Sequence, residues 1–189
     1  MFIVSYTLKN KNSTDQSSLL NALKQIMKRY SVFDFMMVQG FIAKELKYLP
    51  SPYKEDLSSK LNEQLFCTFK EICNTNIVKN EPLNIEDYFD FLEYFRSGIK
   101  NSAVEIQVDF HIIYNLCAAY NLFITRTPVH PVGTPFPGGF QVHKKSDEYF
   151  CPVKDKQKGV FESLCKFCIA KQVERPFSPH AAYSFQPHP

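Results

Sequence analysis

His130-Pro131-Val132-Gly133-Thr134-Pro135-Phe136-Pro137-Gly138-Gly139-Phe140 is a stretch that no helix accommodates. Each proline lacks the backbone N–H that a helix needs, and Pro-Gly followed by Gly makes a tight turn. Its surroundings share this texture. Nine of the twelve prolines lie at position 128 or later, and four of the six glycines lie between 133 and 159. The change begins at Leu122-Phe123-Ile124-Thr125-Arg126-Thr127. It predicts helices before that point and turn-stabilised structure after it.

Upstream, apolar residues recur at three- and four-residue spacing. Ser13, Thr14 or Asp15 caps a helix whose inner face is Leu19, Leu20, Leu23, Ile26, Met27 and Tyr30. Phe33 to Leu49 continues in helical character, with Phe33, Met37, Phe41 and Leu46 toward the core, until Pro50 and Pro52. Tyr53 to about Lys79 is a long helix striped by Leu57, Leu61, Leu65, Phe69 and Ile72, with Cys67 and Cys73 expected as small buried hydrophobes. Asn84 caps the next, with inner face Ile85, Phe89, Leu92 and Phe95 and Gly98 as its stop. A last helix runs from Asn101 or Ser102 to about Tyr120. Residues 1–8 read as a short strand or a tail.

Downstream, Gly139 to Lys144 and Glu148 to Val153 are expected as two strands around Lys145-Ser146-Asp147. Val160 to Val173 is expected as a short helix carrying Cys165 and Cys168. The fold class is therefore mainly α: a helical bundle-like domain at 1–127, a hairpin-plus-helix Cys/His module at 128–175, and an extended or mobile tail at 176–189.

Cys151, Cys165 and Cys168 form a C-x13-C-x2-C pattern. Thiolates with a nearby imidazole are ligands that zinc prefers, usually four in a tetrahedron. His130 is the first choice for the fourth position, because the flanking prolines hold it against the hairpin. His143 is second: with an even hairpin loop, Val142 rather than His143 lies opposite Cys151. Cys117 is third; an iron–sulfur cluster, the alternative to zinc, would take it as a fourth sulfur or leave one iron open. Three unrelated reduced thiols remain the plain reading. Gly138 and Gly139 suit an anion-binding nest less well than a turn. Glu86, Asp87, Asp90 and Glu93 read as a solvated acidic face. Glu105, Asp109 and His111 would do acid–base work only on converging at a pocket.

The 189 residues suffice for a sizeable core without disulfides. No secretory leader and no membrane-length apolar run is visible, so the expected location is cytoplasmic and the six cysteines are expected as thiols or ligands. The net charge of +3 is too small to draw nucleic acid strongly. Lys144, Lys145, Lys154, Lys156, Lys158 and Lys166 lie near Tyr149, Phe150 and Phe167, as in single-strand binders. Asp147, Glu148, Asp155 and Glu162 dilute that patch.

The run His130–Phe140, then Tyr149-Phe150-Cys151-Pro152-Val153-Lys154-Asp155-Lys156-Gln157, then Leu164-Cys165-Lys166-Phe167-Cys168-Ile169-Ala170, resembles an archaeal family known as domain of unknown function 2115. The resemblance is sharpest over residues 128–172. It implies a cytoplasmic protein of a methanogen and brings no activity or catalytic residue with it. The leading expectation is a binding or accessory factor whose carboxy-terminal module holds a structural zinc, with a protein as its partner. The rivals are an iron–sulfur or other metal-dependent redox enzyme and a nucleic-acid-binding module.

Overall fold

The structure is a computed structural model that describes residues 15–76, 79, 81–101, 105–160 and 163–173. The strand or tail expected at residues 1–8 and the tail at 176–189 lie outside these.

Five helices form the body: α1 Gln16–Met27, α2 Val32–Glu45, α3 Tyr53–Asn74, α4 Ile85–Lys100 and α5 Glu105–Ala119. Their starts follow from capping chemistry. The Asp15 carboxylate accepts the Ser18 N–H at 2.8 Å. Ser31 and Asp34 make a reciprocal capping box, which separates α2 from α1. Asn84 accepts from the Asp87 N–H at 3.4 Å, and Glu86 and Asp87 occupy the acidic first turn of α4. Among the described residues, no helix is long and apolar enough to cross a membrane.

Helix α5 is the centre, contacting α1, α2, α3 and α4. Ile112, Ile113, Leu116, Cys117, Ala118 and Ala119 are all buried, so more than one side of it faces protein. It continues as a π-helical turn, Tyr120–Thr125, closed by Arg126 in the left-handed region with φ 53°. The buried Gln16 side chain donates to the Phe123 and Ile124 carbonyls of this turn at 3.1 Å each, supplying the partners that its geometry leaves over.

The expected helix register needs correction in two places. In α2 the buried residues are Phe35, Val38 and Ile42, while Phe33 and Met37 are exposed. In α4 they are Tyr88, Phe91, Leu92, Phe95 and Ile99; Ile85 and Phe89 face outward and the helix runs on through Gly98. Both helices carry large apolar residues on two faces, so spacing alone does not select the inner one. Cys67 and Cys73 are exposed rather than buried, because Leu65, Thr68 and Ile72 set a different inward line on α3.

Beyond Arg126 the chain turns to short strands. β1 Pro135–Phe136 pairs antiparallel with β2 Phe140–Gln141. Gly138 and Gly139 take φ of 89° and 78° in the turn between them, and a Cβ at Gly138 would lie 2.8 Å from the Phe140 ring. β3 His143–Lys145 pairs antiparallel with β4 Glu148–Cys151, which pairs parallel with β5 Lys171–Gln172. A five-residue helix, α6 Lys154–Lys158, follows β4. The helix expected at Val160–Val173 is replaced by a 3-10 turn, Leu164–Lys166, and by β5. The Ser163 hydroxyl takes the Cys165 N–H at 3.1 Å, and the Lys154 ammonium takes the Cys165 and Cys168 carbonyls. Those groups are then engaged outside an i→i+4 ladder.

Candidate functional site

Leu164 and Val129 belong to the same hydrophobic cluster as the helices, and Phe167 packs edge-on against Phe91 at 5.6 Å and Tyr94 at 6.2 Å. The C-terminal segment is thus seated on α4. A second small cluster, Val142, Cys151 and Ala170, forms beneath the strands. Cys168 touches both clusters.

Between them lies a cavity of about 530 Å³. Cys151, Cys165, Cys168 and His130 all line it, and so does Lys154. The rest of its wall is chiefly apolar and aromatic, including Tyr94, Tyr114 and Phe136. The four come from three separate pieces of local structure. Cys151 ends β4, where its carbonyl accepts the Val173 N–H at 3.3 Å. Cys165 and Cys168 flank the 3-10 turn, with the Cys168 N–H on the Cys165 carbonyl at 3.2 Å. His130 precedes the proline-rich turn, which the Thr134 hydroxyl ties to the Pro131 carbonyl at 2.7 Å.

The electrostatics of the site are set by burial. Desolvation pushes the Cys151 thiol above its ordinary value; backbone N–H groups of Val153 and Lys154 on its sulfur oppose this, and the charges of Cys165 and Cys168 add to it. Desolvation also holds the His130 imidazole below its ordinary value, so it is neutral at pH 7. Its ring stands edge-on to Phe136, 5.8 Å between centres. Lys154 donates to the Cys165 carbonyl and, at 2.5 Å, to the Cys168 carbonyl, tying both ends of the C-x2-C turn to α6. Among the described residues, no three histidine, cysteine, aspartate or glutamate side chains stand close enough together, in their present rotamers, to hold an ion.

The other candidates lie elsewhere. The Ser146-Asp147 loop has two residues, so His143 pairs with Phe150 and its ring stacks on the Phe150 ring at 5.3 Å. Val142, buried beside Cys151, takes the position that an even loop dictates. Cys117 is buried on α5, where its thiol donates to the Leu65 carbonyl at 3.8 Å, and it does not line the cavity. His111 packs beside Gly98 and Phe110, while the Asp109 charge acts on Tyr30; the Glu105 side chain lies outside the described residues. Lys144 and Lys166 each sit over a ring, Tyr149 and Phe167, and Lys171 pairs with Glu148. Lys154, which the sequence presents as one lysine of a basic patch, is a further residue lining the cavity. Its position three residues after Cys151 and three before Gln157, a fellow lining residue, is the available signal.

Comparison with known proteins places these features in a lineage. Residues 15–173 match the family described as uncharacterised protein conserved in archaea, DUF2115. The chain belongs to that family. The match spans the helical body and the cysteine-bearing strands as one unit, from the α1 cap to β5. Similar proteins occur in methanogens. The UPF0305 protein MJ0646 of Methanocaldococcus jannaschii is 32% identical over 158 residues, covering 82% of this chain and 95% of its own length. A UPF0305 protein of Methanothermobacter thermautotrophicus is 27% identical over 157 residues, with 83% and 96% covered. The UPF0305 protein MK0666 of Methanopyrus kandleri is 31% identical over 124 residues, with 65% and 86% covered. No solved structure matches this family member.

Proposed function

We propose that Cys151, Cys165, Cys168 and His130 hold one structural zinc ion, and that the protein works as a binding or accessory factor whose carboxy-terminal strands the metal fastens to the helical body. The observation that carries this reading is that all four donors, from three separate local structures, line one cavity. In this apolar space burial, and the charges of Cys165 and Cys168, raise the cost of ionising Cys151. A divalent cation reverses that sign, and coordinated thiols then lose their protons outright. Backbone N–H groups on the Cys151 sulfur favour its thiolate.

The reading requires the side chains to turn from their present rotamers until the thiolates reach bonds of about 2.3 Å to the ion. Zinc is favoured over an iron–sulfur cluster because the fourth donor in the cavity is a neutral imidazole, while Cys117 is committed to Leu65 in the helical core.

Elemental analysis of protein purified without oxygen tests the assignment. The parent is expected to carry one zinc per chain, and the Cys165→Ser/Cys168→Ser variant much less. The variant should also lose hydrogen-exchange protection over 128–173 before it does so in the helices. Equal metal content in both proteins sinks the reading, as does a metal-free parent that takes up no zinc.

A further inference from the structure

Helix α3 and the π-helical turn Tyr120–Thr125 line a second cleft, of about 540 Å³, that the cysteine site does not use. The two cavities share only Pro128. A volume of this order is that of a small-molecule pocket.

Two polar residues of its wall are more than nine-tenths buried: Thr68 is 5% exposed and Asn121 7%. Thr68 stands on the inward line of α3 between Leu65 and Ile72, where helical spacing calls for an apolar side chain. Among the described residues, neither the Thr68 hydroxyl nor the Asn121 side-chain amide has a hydrogen-bond partner. Buried polar groups are ordinarily paired. Here the packing leaves an amide and a hydroxyl for whatever enters the cleft.

The backbone is unusual at the same place. π-helical turns are rare and gather at functional sites. This one closes at Arg126, a non-glycine residue with φ 53°. It presents the Asn121 carbonyl to the Thr127 N–H at 2.8 Å and to the Thr125 hydroxyl at 3.3 Å. The carbonyl is thus satisfied locally, and the turn makes no use of the side-chain amide.

Charge and wall narrow the ligand. Two carboxylates, Glu63 and Glu71, line the cleft against one ammonium, Lys60, which pairs with Glu63 at 3.0 Å. A phosphate gains nothing from that balance. Tyr149, Pro131 and Val132 add ring and apolar surface, which suits a flat ligand. A carboxamide holds a donor beside an acceptor in one plane, the pattern that matches the N6–H and N7 edge of adenine with two hydrogen bonds. The Thr68 hydroxyl and the Glu71 carboxylate can accept from the hydroxyls of a sugar.

We propose that this cleft binds an uncharged adenine nucleoside, with the Asn121 amide on the base edge and Thr68 and Glu71 toward the sugar. The site stands apart from the zinc reading and does not depend on it.

Titration calorimetry of the full chain with adenosine, guanosine and AMP tests this, with Asn121→Leu and Thr68→Val alongside. Adenosine is expected to bind with a dissociation constant on the order of 100 µM. Guanosine, whose corresponding edge carries two acceptors, and AMP, whose phosphate meets the carboxylates, are expected to bind more weakly. Each substitution keeps the side-chain shape, removes the polar group and is expected to weaken adenosine by about tenfold. The Tm of neither variant is expected to fall, because neither group has a protein partner to lose. A parent that binds no adenosine overturns the proposal, as do variants that bind it like the parent. Guanosine or AMP held as tightly as adenosine overturns it, and so does a lowered Tm in both variants, which would make the two groups structural.

Discussion

At the scale of single residues, the cavity depends on Lys154 as much as on its cysteines. The ammonium donates to the Cys168 carbonyl and adds a second donor to the Cys165 carbonyl, which also accepts the Cys168 N–H. Lys154→Met removes both donors while keeping the aliphatic stem. The Cys168 carbonyl left without a donor is expected to cost about 1–3 kcal/mol, less whatever water recovers. Amide exchange over 163–173 should accelerate, while that of α5 is unchanged. Lys154→Arg, which restores donors in a different geometry, should recover part of the protection. Exchange in the Met variant identical to the parent would show that the carbonyls are satisfied without the ammonium.

At the scale of elements, α4 shows why spacing located the helix but not its inner side. Ile85, Phe89, Leu92 and Phe95 are spaced for one face, and so are Tyr88, Phe91, Leu92, Phe95 and Ile99. The second set is buried because α5 lies on that side and because Phe123 and Phe167 offer edges to the Phe91 ring. Phe95→Ala is expected to lower stability by about 3–5 kcal/mol, since Phe95 is 2% exposed. Phe89→Ala, at 53% exposure, should cost less than about 1 kcal/mol. Urea denaturation of both variants checks the order, and equal losses would mean that the expected face was the correct one. Capping was legible throughout: Asp15 and Asn84 cap as their sequence positions imply, because a side-chain oxygen beside free N–H groups needs no tertiary partner.

At the scale of the whole molecule, burial of two imidazoles sets the acid limb of stability. Desolvation lowers His130 and His111 below their ordinary values. The unfolded chain, whose histidines titrate near 6.5, therefore takes up protons first, and stability rises with pH across that window. In metal-free protein the urea midpoint is expected to hold above about pH 7 and to fall as the pH drops through 6.5 toward 5. His130→Gln should flatten that fall, and His130→Gln with His111→Gln should flatten it further. A parent midpoint constant from pH 7.5 to 5 would show that neither ring resists charging. Cys151, raised by burial, contributes with the opposite sign: what its neutral form adds is lost only on the alkaline side.

The sequence by itself determined the run of helices up to residue 127 and the family. Periodicity, caps and turn residues are local, whereas the hairpin register followed only once the structure set a two-residue loop, which sends Val142 rather than His143 to the side of Cys151 through the pleat. Only the tertiary structure decided which faces of α2 and α4 turn inward, that Cys67 and Cys73 stay exposed, and that residues 164–172 form a turn and a strand. It also brought His130, Cys151 and the Cys165/Cys168 turn to one cavity with Lys154 across their carbonyls. Those outcomes depend on which distant surfaces meet, and a buried face is a property of two elements rather than of one.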